Sequence, residues 1–416
     1  MPSHTKTFLP GAILASGVAL ATLVQPLMAA DLFSANLVVD HLQSTTLSFS
    51  RIEELQDVLT ESKIRELEQI GNAYTETSQV HITLNMRGLD FTAEYVKDST
   101  ELRVQSGAIA FTQSFHGATR EESERAFRDY LESNQENLLT RTLQYWVANT
   151  SIDPVAGNPN ALINRMGASD FRGSATIPTL PTTQTALSSF GTSASLGRYS
   201  TQEGHTISLF SVPMEYTHQF EEDPRRQIYL SAPLTYYSVG GSKSYDASLG
   251  VSYRHPISDD WSLSPGVRLG ALGSVDIGSA AAVYAFSLKS EYRLYHDDLN
   301  IRIGNMIGSY STMDLSANNK SFNYDISNQI TKNGISLEGS TATQLFGKPS
   351  SWEAAVAHTY VWGSDVFIDS YFDLIFTFGT RYSDSGDSWD ALRFGLSATI
   401  GNNSYKGFGI NFGYTF

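Results

Sequence analysis

The sequence predicts an N-terminal α+β domain followed by a C-terminal antiparallel transmembrane β-barrel of about 12 strands. Three observations carry this prediction. From about residue 187 onward the chain reads as strand and turn only, in segments of roughly ten residues, the length a tilted strand needs to cross a bilayer. Within those segments bulky apolar residues alternate with small or polar ones, which sorts them onto opposite faces of a strand. No stretch beyond the first 30 residues approaches the roughly eighteen uninterrupted apolar residues of a membrane helix. In lipid, helices and closed barrels are the structures that satisfy their backbone groups internally.

Residues 1–30 have the layout of a secretory signal peptide. Lys6 lies in a short polar start, an apolar stretch runs from about Phe8 to Val24, and small residues follow at Ala29 and Ala30. Against the alternative of an anchoring helix stand its shortness, Pro10 and two glycines. Residues 31–150 are expected to form a small α+β domain. Ser50 and Glu53 make a capping box, and Ile52, Leu55, Leu59, Ile64, Leu67 and Ile70 follow at helical spacing. In QVHITLNMRG, Val80, Ile82, Leu84 and Met86 face one way; LDFTAEYV repeats the pattern, and AIAFTQSF adds a candidate strand. Thr119 and Glu122 make a second capping box, opening an amphipathic stretch through Phe127, Leu131, Leu138 and Trp146 with a break near Asn134. Residues 151–186 are dominated at their ends by Pro, Gly, Asn and Thr and read as a linker, with room for one or two helical turns in NALINRM.

Residues 187–416 are the predicted barrel. VFIDSYFDLIFTFG puts Ile368, Phe372, Leu374, Phe376 and Phe378 on an oily face, opposite Asp369, Tyr371, Asp373 and Thr377. ALRFGLSATI sets Leu392, Phe394, Leu396 and Ile400 against Arg393, Gly395 and Ser397. The last strand, GFGINFGYTF, has Phe408, Ile410, Phe412, Tyr414 and Phe416 on one face and only small or polar residues on the other. A strand in a soluble sandwich would show the same alternation. This one, however, resembles the terminal strand of bacterial outer-membrane β-barrels, which ends in Phe with an aromatic two residues earlier. The resemblance covers ten residues. It implies bacterial outer-membrane localisation, outer-membrane lipid around the barrel, and recognition of these five residues by the barrel-assembly machinery.

Single-chain bacterial barrels have even strand numbers and short periplasmic turns. Eleven strands can be counted from His205 onward, and SSFGTSASLGRY supplies a twelfth. Asn333-Gly334 is a hairpin signal. Treating it as a bulge or bend keeps the longest loop, STMDLSANNKS, on the outside. This count places the N-terminal domain in the periplasm. A barrel after an exported N-terminal segment also resembles an autotransporter, whose barrels have twelve strands and whose passenger lies outside the cell. This chain departs from that pattern in its short N-terminal part and in lacking a clear helix to thread the pore, so a displayed passenger stands as the alternative.

Charge and composition narrow the function. The 28 basic residues against 43 acidic ones give a net charge of −15, which argues against nucleic acid as a partner. There is no cysteine, so thiol chemistry and cysteine metal sites are excluded. No phosphate loop, metal-ligand cluster or catalytic constellation is legible; no cofactor is expected and the protein does not read as an enzyme. His358 and Tyr360 share a strand face with no identifiable serine partner. The predicted lumen carries Arg268, Arg302, Asp369, Asp373 and Arg393, together with Arg254, Lys289, Arg293, Asp246 and Glu291. These charges form either a mutually paired polar core, the reading adopted, or a selectivity lining. The expected function is a barrel that anchors or displays a small N-terminal binding domain. A passive small-solute channel is the first alternative, and an outer-membrane lipid or peptide hydrolase the second.

Overall fold

The computed structural model describes residues 32–172 and 188–415 apart from short gaps, of which 52–73 and 381–390 are the longest. The expected signal peptide, the helix after Ser50, the far end of the 151–186 segment and Phe416 lie outside the described residues.

The N-terminal domain is a six-stranded antiparallel sheet. Its strands are β1 (Phe33–Val39), β2 (Gln43–Phe49), β3 (Val80–Met86), β4 (Leu89–Tyr95), β5 (Leu102–Ser106) and β6 (Phe111–Phe115), in the order β2-β1-β3-β4-β5-β6. Period-two alternation puts Phe33, Ala35, Leu37, Val80, Ile82, Phe91 and Val104 on the buried face. Helices α1 (Arg120–Ser133) and α2 (Gln135–Asn149) follow; the expected break near Asn134 falls on a residue outside the described ones. The N-cap Thr119 accepts the Glu122 N–H at 3.2 Å, and Glu122 Oε2 accepts the Ala118 N–H at 2.7 Å. The rings of Phe127 and Tyr130 pack on Phe115.

The barrel closes with twelve strands. They are β7 (Ser188–Ser200), β8 with β9 (Thr206–Val212, Met214–Gln219), β10 with β11 (Gln227–Ser231, Leu234–Val239), β12 (Ser242–Pro256), β13 (Trp261–Ser274), β14 (Ser279–His296) and β15 (Leu299–Met313). A two-stranded excursion, β16 (Leu315–Ala317) and β17 (Lys320–Phe322), precedes β18 (Ser327–Leu345), β19 (Lys348–Gly363), β20 (Ser370–Thr380), β21 (Ala391–Gly401) and β22 (Lys406–Thr415). β8 and β9 are halves of one strand interrupted at Pro213, and β10 and β11 halves of another interrupted at Pro233, so fourteen segments make 14 − 2 = 12 strands. Proline has no N–H to give the ladder. The last strand pairs with the first, Phe408 opposite Arg198 and Phe412 opposite Ala194. The weak segment SSFGTSASLGRY is therefore the closing partner. β18 runs unbroken through Gly334, which pairs with Gly304 and Ala357, so Asn333-Gly334 is no hairpin.

The outer wall is an apolar belt that includes Leu249, Leu269, Phe286, Leu374, Leu396 and Phe408, all exposed. Aromatic side chains flank it at both ends, Tyr245, Tyr360 and Trp362 at one and Trp261 and Tyr292 at the other. A closed barrel with such a band and its two girdles is built to stand in a membrane. Among the described residues no helix is long and apolar enough to cross one.

Candidate functional site: a helix-plugged lumen under a seated domain

The expected linker is where structure and sequence reading part. Residues 150–161 are wholly buried, and Leu162–Arg172 forms an 11-residue helix, α3, that lies inside the barrel. Its apolar residues Leu162, Ile163 and Met166 are buried, and its polar side meets the lumen wall. Arg268 donates Nε–H to Asp170 Oδ1 at 2.7 Å, and the Tyr310 hydroxyl donates to Asp170 Oδ2 at 2.8 Å. Arg165 pairs with Asp246. Glycines make the room. A Cβ on Gly270 would meet Met166 Sδ at 2.7 Å, and one on Gly304 would meet Phe171 Cζ at 3.0 Å. Gly334 faces the same ring at 3.2 Å, which explains a glycine in mid-strand.

Above the helix, residues 150–161 fill the mouth and hold the domain. Arg87 sits in the tight β3–β4 turn, with Arg87 and Gly88 both at positive φ (54° and 83°). Its fully buried guanidinium donates to Asp153 Oδ2 at 3.0 Å and Ser279 Oγ at 3.3 Å, and lies 4.2 Å from the Trp146 ring. Burial pushes the Asp153 carboxyl up; Arg87 and the N–H groups of Val155 and Ala156 oppose that rise. All six strand connections at this end touch the domain or the mouth segment. Glu203 accepts from Ser151 at 2.6 Å, Gly240 lies against Leu32, and Ser279 and Tyr324 face Arg87 and Asp153. Phe367 N–H donates to Val147 O at 2.9 Å, Ile368 N–H to Gly157 O at 3.0 Å, and Asn160 Nδ2 to Tyr405 Oη at 2.6 Å.

Four of the five predicted lumen charges are in the lumen. Arg268 holds the plug; Arg302 pairs with Glu353. Asp373 takes Lys332 at 2.6 Å, and Arg393 reaches Glu338 at 3.7 Å. Glu291 gathers Lys289, Arg293 and Arg254, the paired polar core that was expected. Asp369 is the exception. It precedes β20, in the loop at the domain end, and accepts from Asn402 at 2.8 Å. Ile368, placed on the oily face by periodicity, is instead fully buried in the mouth. Both fall outside the strand, where alternation has no force. The signal that could have found the plug was charge complementarity, Arg165 with Asp246 and Asp170 with Arg268. Of the terminal signature, Phe408, Ile410 and Phe412 point outward, and Tyr414 lies in β22.

A cavity of about 780 Å³ remains around and below α3. No group of three or more potential metal ligands occurs among the described residues. His358 does have a serine neighbour, Ser370 Oγ at 2.9 Å from Nε2, on the lipid-facing wall. Among the described residues, none hydrogen-bonds the other ring nitrogen to orient it. The ring lies against Phe372, tilted by 39° with centroids 4.6 Å apart, so the His358–Ser370 pair reads as two polar groups satisfying each other.

The closed barrel, its belt and its charged lumen define a bacterial outer-membrane β-barrel protein. Its twelve strands are the number the autotransporter resemblance implies. No family description and no curated protein matches the chain. Among solved structures, the beta domain of the Bordetella autotransporter BrkA is similar over 55% of this chain and 100% of its own, at 14% identity and a TM-score of 0.43. The translocator domain of autotransporter NalP from Neisseria meningitidis covers 61% of this chain and 95% of its own, at 11% identity and a TM-score of 0.42. The KdgM porin covers 54% and 99%, at 12% identity and a TM-score of 0.33. The barrel assignment rests on strand pairing and the belt.

Proposed function

We propose that this protein is a surface-display anchor whose barrel holds the six-stranded domain on the outer face of the outer membrane, with the lumen closed by α3. One observation carries the reading. The free ends of the barrel, Ser188 and Thr415, lie at one end, and the domain sits at the other. An even-stranded outer-membrane barrel keeps both ends periplasmic. The domain is then outside, and α3 brings the chain back through the lumen. This replaces the expected periplasmic placement, which assumed that the chain entered β7 from the domain's own side.

The domain offers a partner the sheet face turned away from its buried side. One rank across all six strands reads Thr46, Asn36, Thr83, Thr92, Gln105, Thr112, a hydrogen-bonding surface without large apolar groups. Because the chain has no cysteine, Thr112→Cys gives a single label site on that exposed face. Labelling of intact cells by a membrane-impermeant maleimide is the expected result. Labelling only after the outer membrane is breached would refute display. The cavity beside α3 favours a second reading, a channel that opens when the helix is displaced.

A further inference from the structure

We propose that the outer wall at β22, β7 and β8 carries a binding site for one lipid with a net-negative phosphate headgroup in the leaflet on the domain side. Even-numbered side chains of these strands face away from the lumen, and three ranks stack in register. Lys406, Ser200 and Thr206 form the rank nearest the domain. Phe408, Arg198 and Ser208 form the next, and Ile410, Leu196 and Phe210 the one below. A groove of about 350 Å³ lies over the upper ranks, lined by Arg198, Ser200, Thr206, Lys406 and Phe408. Gly407 keeps the wall tight between them, since a Cβ there would meet Tyr199 Cδ1 at 2.2 Å.

Charge decides the ligand. Among the described residues, no Asp or Glu occupies an outward position on a barrel strand, and no carboxylate pairs with Arg198 or Lys406. Two cations and three hydroxyls converge over a rank of exposed apolar side chains. A phosphate fits the first group and acyl chains the second. At the edge of the hydrocarbon, charge-assisted hydrogen bonds to a phosphate outweigh the same bonds in water, and the Arg fork suits two phosphate oxygens. The alternative is a pair of long side chains that merely snorkel to the headgroup level. Snorkelling needs no groove, no hydroxyl rank and no preference among lipids.

Which leaflet this is rests on the display orientation. Full-length protein in mild detergent is titrated by native mass spectrometry with bisphosphorylated lipid A, with phosphatidylethanolamine and with inorganic phosphate. One lipid A is expected to be retained in preference to phosphatidylethanolamine, and not displaced by millimolar inorganic phosphate. Arg198→Gln with Lys406→Gln should weaken it by about ten-fold or more, whereas Arg198→Lys with Lys406→Arg keeps most of the binding. Lys406→Gln alone, at an exposed position, serves if the double variant does not fold. Equal retention by the glutamine variants, equal retention of the zwitterionic lipid, or displacement by free phosphate would each overturn the proposal. Asn403→Cys, in the exposed loop beside the site, is labelled in parallel on intact cells. Protection of that position would sink the display reading and with it the outer-leaflet assignment. Labelling without lipid selectivity would sink the lipid site alone.

Discussion

Replacing Asp170 by alanine should unseat the plug. In the wild type, the carboxylate takes Arg268 Nε–H at 2.7 Å and the Tyr310 hydroxyl at 2.8 Å, with the Arg268 side chain 2% exposed. Without it, Arg268 keeps only the Ser231 and Ser248 hydroxyls, at 2.7 Å and 3.2 Å. Breaking a buried pair from one side costs about 3–5 kcal/mol, and the orphaned Tyr310 hydroxyl adds about 1 kcal/mol. With the helix withdrawn, water reaches Arg268 and most of that penalty is recovered. The substitution therefore favours the withdrawn state by about 4 kcal/mol, or about a thousand-fold. Single-channel recording of the full-length chain in planar bilayers reads this directly. The wild type is expected to stay mostly silent, and Asp170→Ala to show frequent openings. Asp170→Asn, which keeps an acceptor, should fall between them. Adding Arg268→Met to Asp170→Ala removes the stranded charge and should restore silence. Openings as frequent in the wild type as in Asp170→Ala, or an Asp170→Ala barrel as silent as wild type beside a conducting deletion of 162–172, would refute the argument.

Further outcomes follow from the same contacts. Gly304→Leu drives a side chain into Phe171, costs about 1–3 kcal/mol of overpacking, and should also raise conductance. Arg87→Ala leaves Asp153 buried without its cation and should loosen the domain by about 3–5 kcal/mol, seen as faster proteolysis around residues 150–161 with the barrel intact. In the domain, the Gln79 N–H, 2.8 Å from Asp40 Oδ1, holds that carboxyl below its ordinary value of 3.8. A depressed acid contributes stability above its unfolded value and loses it as pH falls through the folded one. Asp40→Asn should therefore lower the domain's melting temperature at pH 7, with the difference shrinking as the pH falls below 3.8.

The barrel was legible because its strands keep period two for many residues. Phe372, Leu374, Phe376 and Phe378 face lipid and Asp373 faces the lumen, as alternation requires. Even β7, poor in large residues, is demanded by the even strand count. The plug was not legible for an equally physical reason. Pro154, Gly157, Asn158, Pro159 and Asn160 have the composition of an exposed loop, and here they fill a sealed mouth. A helix inside a charged lumen needs Arg165 and Asp170 as much as Leu162 and Met166, so its hydrophobic stripe is short. Its seat is written on other strands, in Gly270, Gly304 and Gly334, which no local pattern connects to it.

The ring closed by β22 and β7 encircles its own chain. Once those two strands zip together, the domain on one side of the membrane and the strand ends on the other are threaded like a bead on a string knotted at both ends. A folded six-stranded sheet cannot follow α3 through a lumen that the helix already occupies. Zipping is thus a one-way event in the life of the molecule, and whatever must cross has to cross before the sheet has taken shape.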